Sequence, residues 1–339
     1  MRRLKPKLRS LLLAFVAVVA LAGFALLLLT KGKPASLPPL PNPNGYDDIV
    51  KAGSLVGGDA SGVRELPLEE LRALITTNAE ALQLLRVGLS RTCAVPLEAA
   101  LSTNTFILEL GTTKQLALLL AVEGRLAELE YRPGDAARSY VDAIHLGNET
   151  SRGGFLIHHL IGISCEAIGY RGLVKVVPEL NSQQSRSLSA ELDKVDNQAV
   201  TWNEVLHGEN VFVRHELRQT LNPIRRLVGW WQNRQILKRN EAKHNLMVAR
   251  RRLLTTELAL CCYQSEQGHA PDRLEQLIPK FLQRAPSDPF NGQPLIYRAQ
   301  GTDWLLYSVG PDGVDDRGKP VGRTLPATSA TGDLFFDSP

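Results

Sequence analysis

Cysteine is scarce in this sequence. Four occur in 339 residues, and no two stand at the C-x-x-C spacing. That excludes the dense disulfide framework of a small secreted domain and gives no support to a zinc ribbon or a thioredoxin-like motif. Cys261 and Cys262 are adjacent, where a bridge would be strained, and Cys93 and Cys165 can join only if the fold brings them together. Small buried thiols on helices are the simpler reading. Also missing are G-x-x-x-x-G-K-[ST], a G-x-G-x-x-G after a strand, and G-x-S-x-G. Nucleotide binding and a nucleophile elbow therefore have no support. Charge of one sign is lacking as well: 39 Lys and Arg face 35 Asp and Glu, for a net +4. Arg2, Arg3, Lys5, Lys7 and Arg9 account for all of that excess. The rest of the chain is close to neutral, which argues against a nucleic-acid partner.

What those five cations precede is a run of nineteen uncharged residues, Leu11 to Leu29. At 1.5 Å per residue it is about long enough for a hydrocarbon core of roughly 30 Å. "ALA" at Ala20–Ala22 matches a signal-peptidase site but lies inside the apolar run, and no small-residue site follows Leu29. An uncleaved anchor is the preferred reading. The basic N-terminus places residues 1–9 in the cytoplasm and residues 10–30 across the inner membrane as a single span, with the body on the periplasmic side. Residues 31–46 hold five prolines between Pro34 and Pro43 and read as a stiff spacer.

From 47 to 245 apolar residues recur at three- and four-residue intervals, predicting a large all-α bundle or solenoid-like domain. Around Pro133, Gly124, Ala136, Tyr140 and Ala143 stand where a tetratricopeptide repeat places its small residues and its aromatic. This helix pair resembles such a unit, although Leu120 and Asn148 replace its tryptophan and closing proline. Residues 214–244 carry eight basic residues against Glu216 and Glu241, together with Trp230 and Trp231. Interleaved aromatic and basic residues suit an anionic surface such as lipid headgroups. They also suit a connecting helix whose tryptophans dock on the body, and the second reading is preferred because the tether already attaches the chain to a membrane.

The texture changes in residues 246–339. A long helix, a Gly268–Pro271 turn and a short helix precede two apolar runs separated by Gly301, the pattern of a small antiparallel sheet to which "GDLFF" could add a strand. The fold class expected for the whole chain is therefore α+β: a transmembrane helix, a helical body and a C-terminal helix-plus-antiparallel-sheet domain. Tyr263, Gly268, Pro271, Leu274 and Leu277, then "DPFNGQPLIY" (Asp288 to Tyr297), "LYSVGPDG", Asp315 and Asp316 follow one another in an order that resembles the globular part of the major pseudopilins of type II secretion systems. That resemblance implies a structural calcium ion held by Ser308, Asp312, Asp315 and Asp316, with the Leu306 carbonyl a further ligand. Oxygen donors in close succession suit calcium, although Val314 stands where an EF-hand would need an oxygen. No pseudopilin leader or fifth-position glutamate precedes the apolar segment, so polymerisation through that helix is not expected.

Two Glu-x-x-His pairs, Glu204/His207 and Glu241/His244, are the remaining chemical candidates; a di-iron bundle would need two further glutamates. Lys243 beside His244 suggests an exposed face, and His158-His159 should put one ring in the core and one on the surface. The function expected is a membrane-anchored envelope scaffold with protein partners near a secretion or pilus-like apparatus. The alternative is a metal-dependent envelope enzyme using helical Glu and His residues.

Overall fold

The computed structural model describes residues 39–58, 60, 66–97, 106–219, 223–301, 303–322 and 330–338. The expected basic tail and transmembrane segment, and the linker up to residue 38, lie outside them. No helix of the described residues is long and apolar enough to cross a membrane.

Nine α-helices carry almost all of the regular structure among the described residues. They are α1 (Gly45–Ser54), α2 (Leu68–Thr77), α3 (Ala79–Leu89), α4 (Phe106–Leu129), α5 (Pro133–Ser151), α6 (Leu156–Val176), α7 (Ser182–Asn197), α8 (Trp202–Gln219) and α9 (Pro223–Gln267). One sheet of two antiparallel strands, β1 (Ile296–Gln300) and β2 (Asp303–Tyr307), runs in register from Ile296↔Tyr307 to Gln300↔Asp303. The α+β expectation is thus corrected: the chain is mostly helical, with one small hairpin. "GDLFF" contributes isolated bridges, Ser308↔Leu334 and Pro320↔Asp333, and the short helix after Pro271 is a 3-10 turn, Leu274–Leu277. Proline explains the limit on sheet. Pro286, Pro289, Pro294, Pro311 and Pro320 have no N–H for a ladder. Buried carboxylates hold the segment instead: Asp288 accepts from the Phe290 and Val309 amides at 3.0 and 2.8 Å, and Asp333 from the Asp316 and Gly318 amides at 3.2 and 2.6 Å.

Among the described residues three large cores follow one another, with two smaller clusters around Phe155 and Val205. The first joins α1–α4 around Tyr46, Ile49, Leu71, Leu85, Leu116 and Leu120. The second gathers α5, α6, α7 and α9 around Tyr140, Tyr170, Leu173, Leu192, Leu254 and Leu258. Close approach of α4, α5 and α6 depends on glycine here. A Cβ on Gly124 or Gly172 would meet the Tyr140 ring at 2.6 or 2.2 Å, so the two glycines form the slot that takes the aromatic of the repeat-like hairpin.

The third core lies between α9 and the hairpin, with Leu253, Leu260, Leu277, Leu295, Leu306 and Leu334. α9 supplies both of the last two cores because its apolar residues fall in two stripes. Met247, Leu254 and Leu258 recur on one face, while Leu246, Ala249, Leu253 and Leu260 recur on another. At 45 residues this helix is about 67 Å long. It runs without a break through 245 and 246, where the sequence placed a domain boundary.

Candidate functional site

The C-terminal turn brings the four expected calcium ligands onto one short segment but aims them differently. Ser308 is fully buried, and its Oγ accepts from the Gly310 amide at 3.2 Å. Asp312 Oδ1 accepts from Val314 N at 3.1 Å, closing its own turn. Asp315 is exposed and accepts from the Tyr307 hydroxyl and the Arg317 amide, both at 2.8 Å. These bonds hold its carboxyl below the usual range, and burial together with the same Asp315 bond pushes the Tyr307 phenol up to about 12. Asp316 is different: its Oδ2 is buried without a hydrogen-bond partner. Asp333, which the sequence reading missed, lies fully buried against the Asp316 amide, and burial raises its pKa. Among the described residues, no group of three or more His, Cys, Asp or Glu is placed to hold a metal ion. All the donors are oxygens, which fits calcium, but only Asp316 carries a buried oxygen without a hydrogen-bond partner.

A second polar cluster sits between α5, α6, α7 and α9. Arg251 is 4% exposed and donates to Glu166 at 2.8 Å and to Asp196 at 3.0 Å. Arg252 donates to the other Asp196 oxygen at 3.0 Å and reaches the Ser287 carbonyl at 2.7 Å. Arg250 lies over the Tyr170 ring and donates to the Ser338 carbonyl at 3.3 Å. Three consecutive arginines thus run from α9 to the body on one side and to the C-terminal segment on the other. Tyr170 completes the connection, donating to the Phe336 carbonyl.

Burial pushes the Glu166 carboxyl up, against the opposing pull of Arg251. Asp196 is also pushed up by burial, but Arg251 and Arg252 together prevail and hold it low. One carboxylate meets one buried guanidinium and the other meets two, which accounts for the opposite directions.

Next to this network His159 Nε2 and His244 Nδ1 are 3.1 Å apart, and His159 Nδ1 lies 3.3 Å from Ser151 Oγ. Trp202 stacks obliquely on His244 at 5.7 Å. The expected exposed face for His244 is corrected, since it is 9% exposed; so is the expected split of His158 and His159, which are 0% and 4% exposed. A cavity of about 10 Å³ lined by Ser151, His159, Glu166, His244 and Arg251 lies between them. That is on the order of one water molecule, too small for an organic substrate. The Glu-x-x-His pairs do not converge. Glu204 is exposed and bonds the Thr201 amide at 2.6 Å as a helix cap, His207 is exposed, and Glu241 points to solvent while His244 points inward. All four cysteines are free, with Cys261 exposed and the others buried.

Among known proteins, no family model, no curated protein and no solved structure matches this chain.

Proposed function

We propose that this chain is a non-enzymatic, membrane-anchored envelope scaffold whose helical body presents a pseudopilin-like C-terminal module to protein partners near a secretion or pilus-like apparatus. The observation that carries this reading is the use to which its buried polar groups are put. Arg250, Arg251 and Arg252 fasten α9 to α6, α7 and the C-terminal segment, and among the described residues the cavities beside Arg251 and Arg252, about 10 and 20 Å³, have room for no more than one or two waters. Such a network fixes the position of one part relative to another.

Tyr131 supports partner binding. It is 93% exposed at the tip between α4 and α5, with φ 58° at the position where a helix normally ends on glycine. The left-handed backbone costs a non-glycine residue roughly 1–2 kcal/mol. A groove of about 490 Å³ runs beside it, bounded by Arg132, Arg138, Gln184 and Glu191. A photo-crosslinking amino acid in place of Tyr131, Ile107 or Leu108, in the full chain in its native membrane, should give a discrete adduct with an envelope protein. Only uncrosslinked chain at all three positions would sink the reading.

Calcium belongs to the same proposal. Asp316, with Asp312, Asp315 and Ser308, would hold the ion and pin the turn, and the unsatisfied Asp316 Oδ2 is what supports it. Chelation should then lower the melting temperature of the full chain by about 5 °C or more. Asp316→Asn should abolish that response, and an unchanged melting temperature on chelation removes the ion from the account.

A further inference from the structure

The N-terminal half of α9 extends beyond the shared cores and presents an exposed arc. Trp231, Arg234 and Lys238 follow one another at helical spacing, and Ile236, Arg239 and Lys243 form a second stripe about 140° further round the helix, with exposed Gln232 and Gln235 between the two. Trp231 is 59% exposed and Ile236 47%. This corrects the expectation that the tryptophans dock on the body, at least for Trp231. Residues 217–240 contain no Asp or Glu, and exposed Glu241 stands at the edge of the arc. The opposite face is occupied, with Asn240 and His244 buried.

We infer that this arc is a second membrane contact, lying on a bilayer surface that carries anionic headgroups. Charge complementarity comes first: four basic side chains share the arc, and each contributes about 1 kcal/mol near an anionic surface. Tryptophan and isoleucine among those cations are the chemistry of an interfacial helix, since an indole sits at headgroup depth with its apolar face inward. A nucleic acid would use the cations but gain nothing from Ile236. Distance also permits the contact. The proline-rich residues 31–46 span at most about 50 Å when extended, less than the roughly 67 Å of α9, so a body tethered by residues 10–30 stays within reach of the surface. The inference takes its nearby bilayer from the proposed anchor, whereas the partner proposal is tested separately by crosslinking.

The test uses the full chain reconstituted into vesicles of phosphatidylcholine alone or with phosphatidylglycerol, each containing lipid brominated in its acyl chains as a quencher. Trp231→Phe isolates the contribution of this tryptophan from the other three. Quenching at Trp231 should be present with phosphatidylglycerol, fall with added salt, and be much weaker in phosphatidylcholine. Lys238→Gln with Arg239→Gln should lower the ratio of surface-bound to free arcs roughly thirtyfold. An unchanged melting temperature in these variants confirms that the fold is intact. Equal quenching in both lipids, or none from Trp231, overturns the inference. So does a response of Trp231 to a DNA duplex that phosphatidylglycerol vesicles do not reproduce.

Discussion

Arg251→Met should destabilise the full chain by about 3–5 kcal/mol, the range for removing one partner from a buried ion pair. The magnitude follows from what is left behind. Glu166 is 6% exposed, and Arg251 is its ion-pair partner at 2.8 Å. Asp196 retains Arg252 at 3.0 Å and Arg284 at 3.6 Å, so most of the cost falls on Glu166. Arg251→Lys should recover only part of the loss, because one ammonium cannot reproduce a planar fork that bonds two carboxylates at once. Arg251→Met with Glu166→Gln should recover more, because it removes the stranded charge; the double-mutant cycle then measures the coupling directly. Urea unfolding of these proteins together with Glu166→Gln alone, which completes the cycle, is the measurement. A loss below about 1 kcal/mol for Arg251→Met would mean that the network is open to water and holds nothing together.

That network also marks the boundary of what the sequence made legible. The helical body, the two apolar runs of the hairpin and the turn at Gly301 could be read from local pattern, because helix and strand periodicity are properties of neighbours. The repeat-like spacing of Gly124 and Tyr140 even corresponds to an observed contact. Arg251, by contrast, bonds Glu166 across 85 positions, and His244 meets His159 across the same separation. Spacing along the chain carries no signal for such pairs. Three consecutive arginines in a helix look like a solvated face until the helix proves to be covered on two sides. The one available clue was the double apolar stripe of α9, visible in Leu246, Met247, Ala249, Leu253, Leu254 and Leu258, which leaves few directions for an arginine to reach water. Asp333 was missed for a related reason: its role depends on the return of the C-terminal segment to Ser308 and Pro320, which no motif announces. The α+β expectation gave a small hairpin the weight of a layer in a mostly helical chain, and "GDLFF" adds isolated bridges to it and not a third strand.

The second large effect concerns acid. His158, His159 and His244 are buried, and their pKa values are lowered from 6.5 to about 4, about 3 and about 4 respectively. Burial is the main cause at each; at His159 the neighbouring His244 and then Arg251 add to it, and at His244 Arg251 and Arg252 outweigh the opposing Asp196. A histidine with a lowered folded-state pKa stays neutral in the fold while the unfolded chain takes up a proton. Its contribution is therefore flat above pH 6.5, and stability falls as the pH drops from 6.5 toward the folded value, by about 1.4 kcal/mol per pH unit for each group. Buried carboxylates such as Glu166 and Glu209 have raised values and act in the opposite direction on acidification, so the histidine share must be isolated. His159→Gln with His244→Gln does this, since glutamine keeps hydrogen-bonding capacity and does not titrate. Between pH 6.5 and 5 the wild-type chain should lose about 3 kcal/mol more than the double variant. Chemical unfolding of both proteins across that window checks it, and parallel curves would show that the His159–His244 pair is hydrated and titrates normally. The pair then joins the arginines in one physical role: neutral rings and a charge-balanced cluster tolerate burial at neutral pH, and the seam they hold between body and C-terminal segment is the place where acid should first loosen the fold.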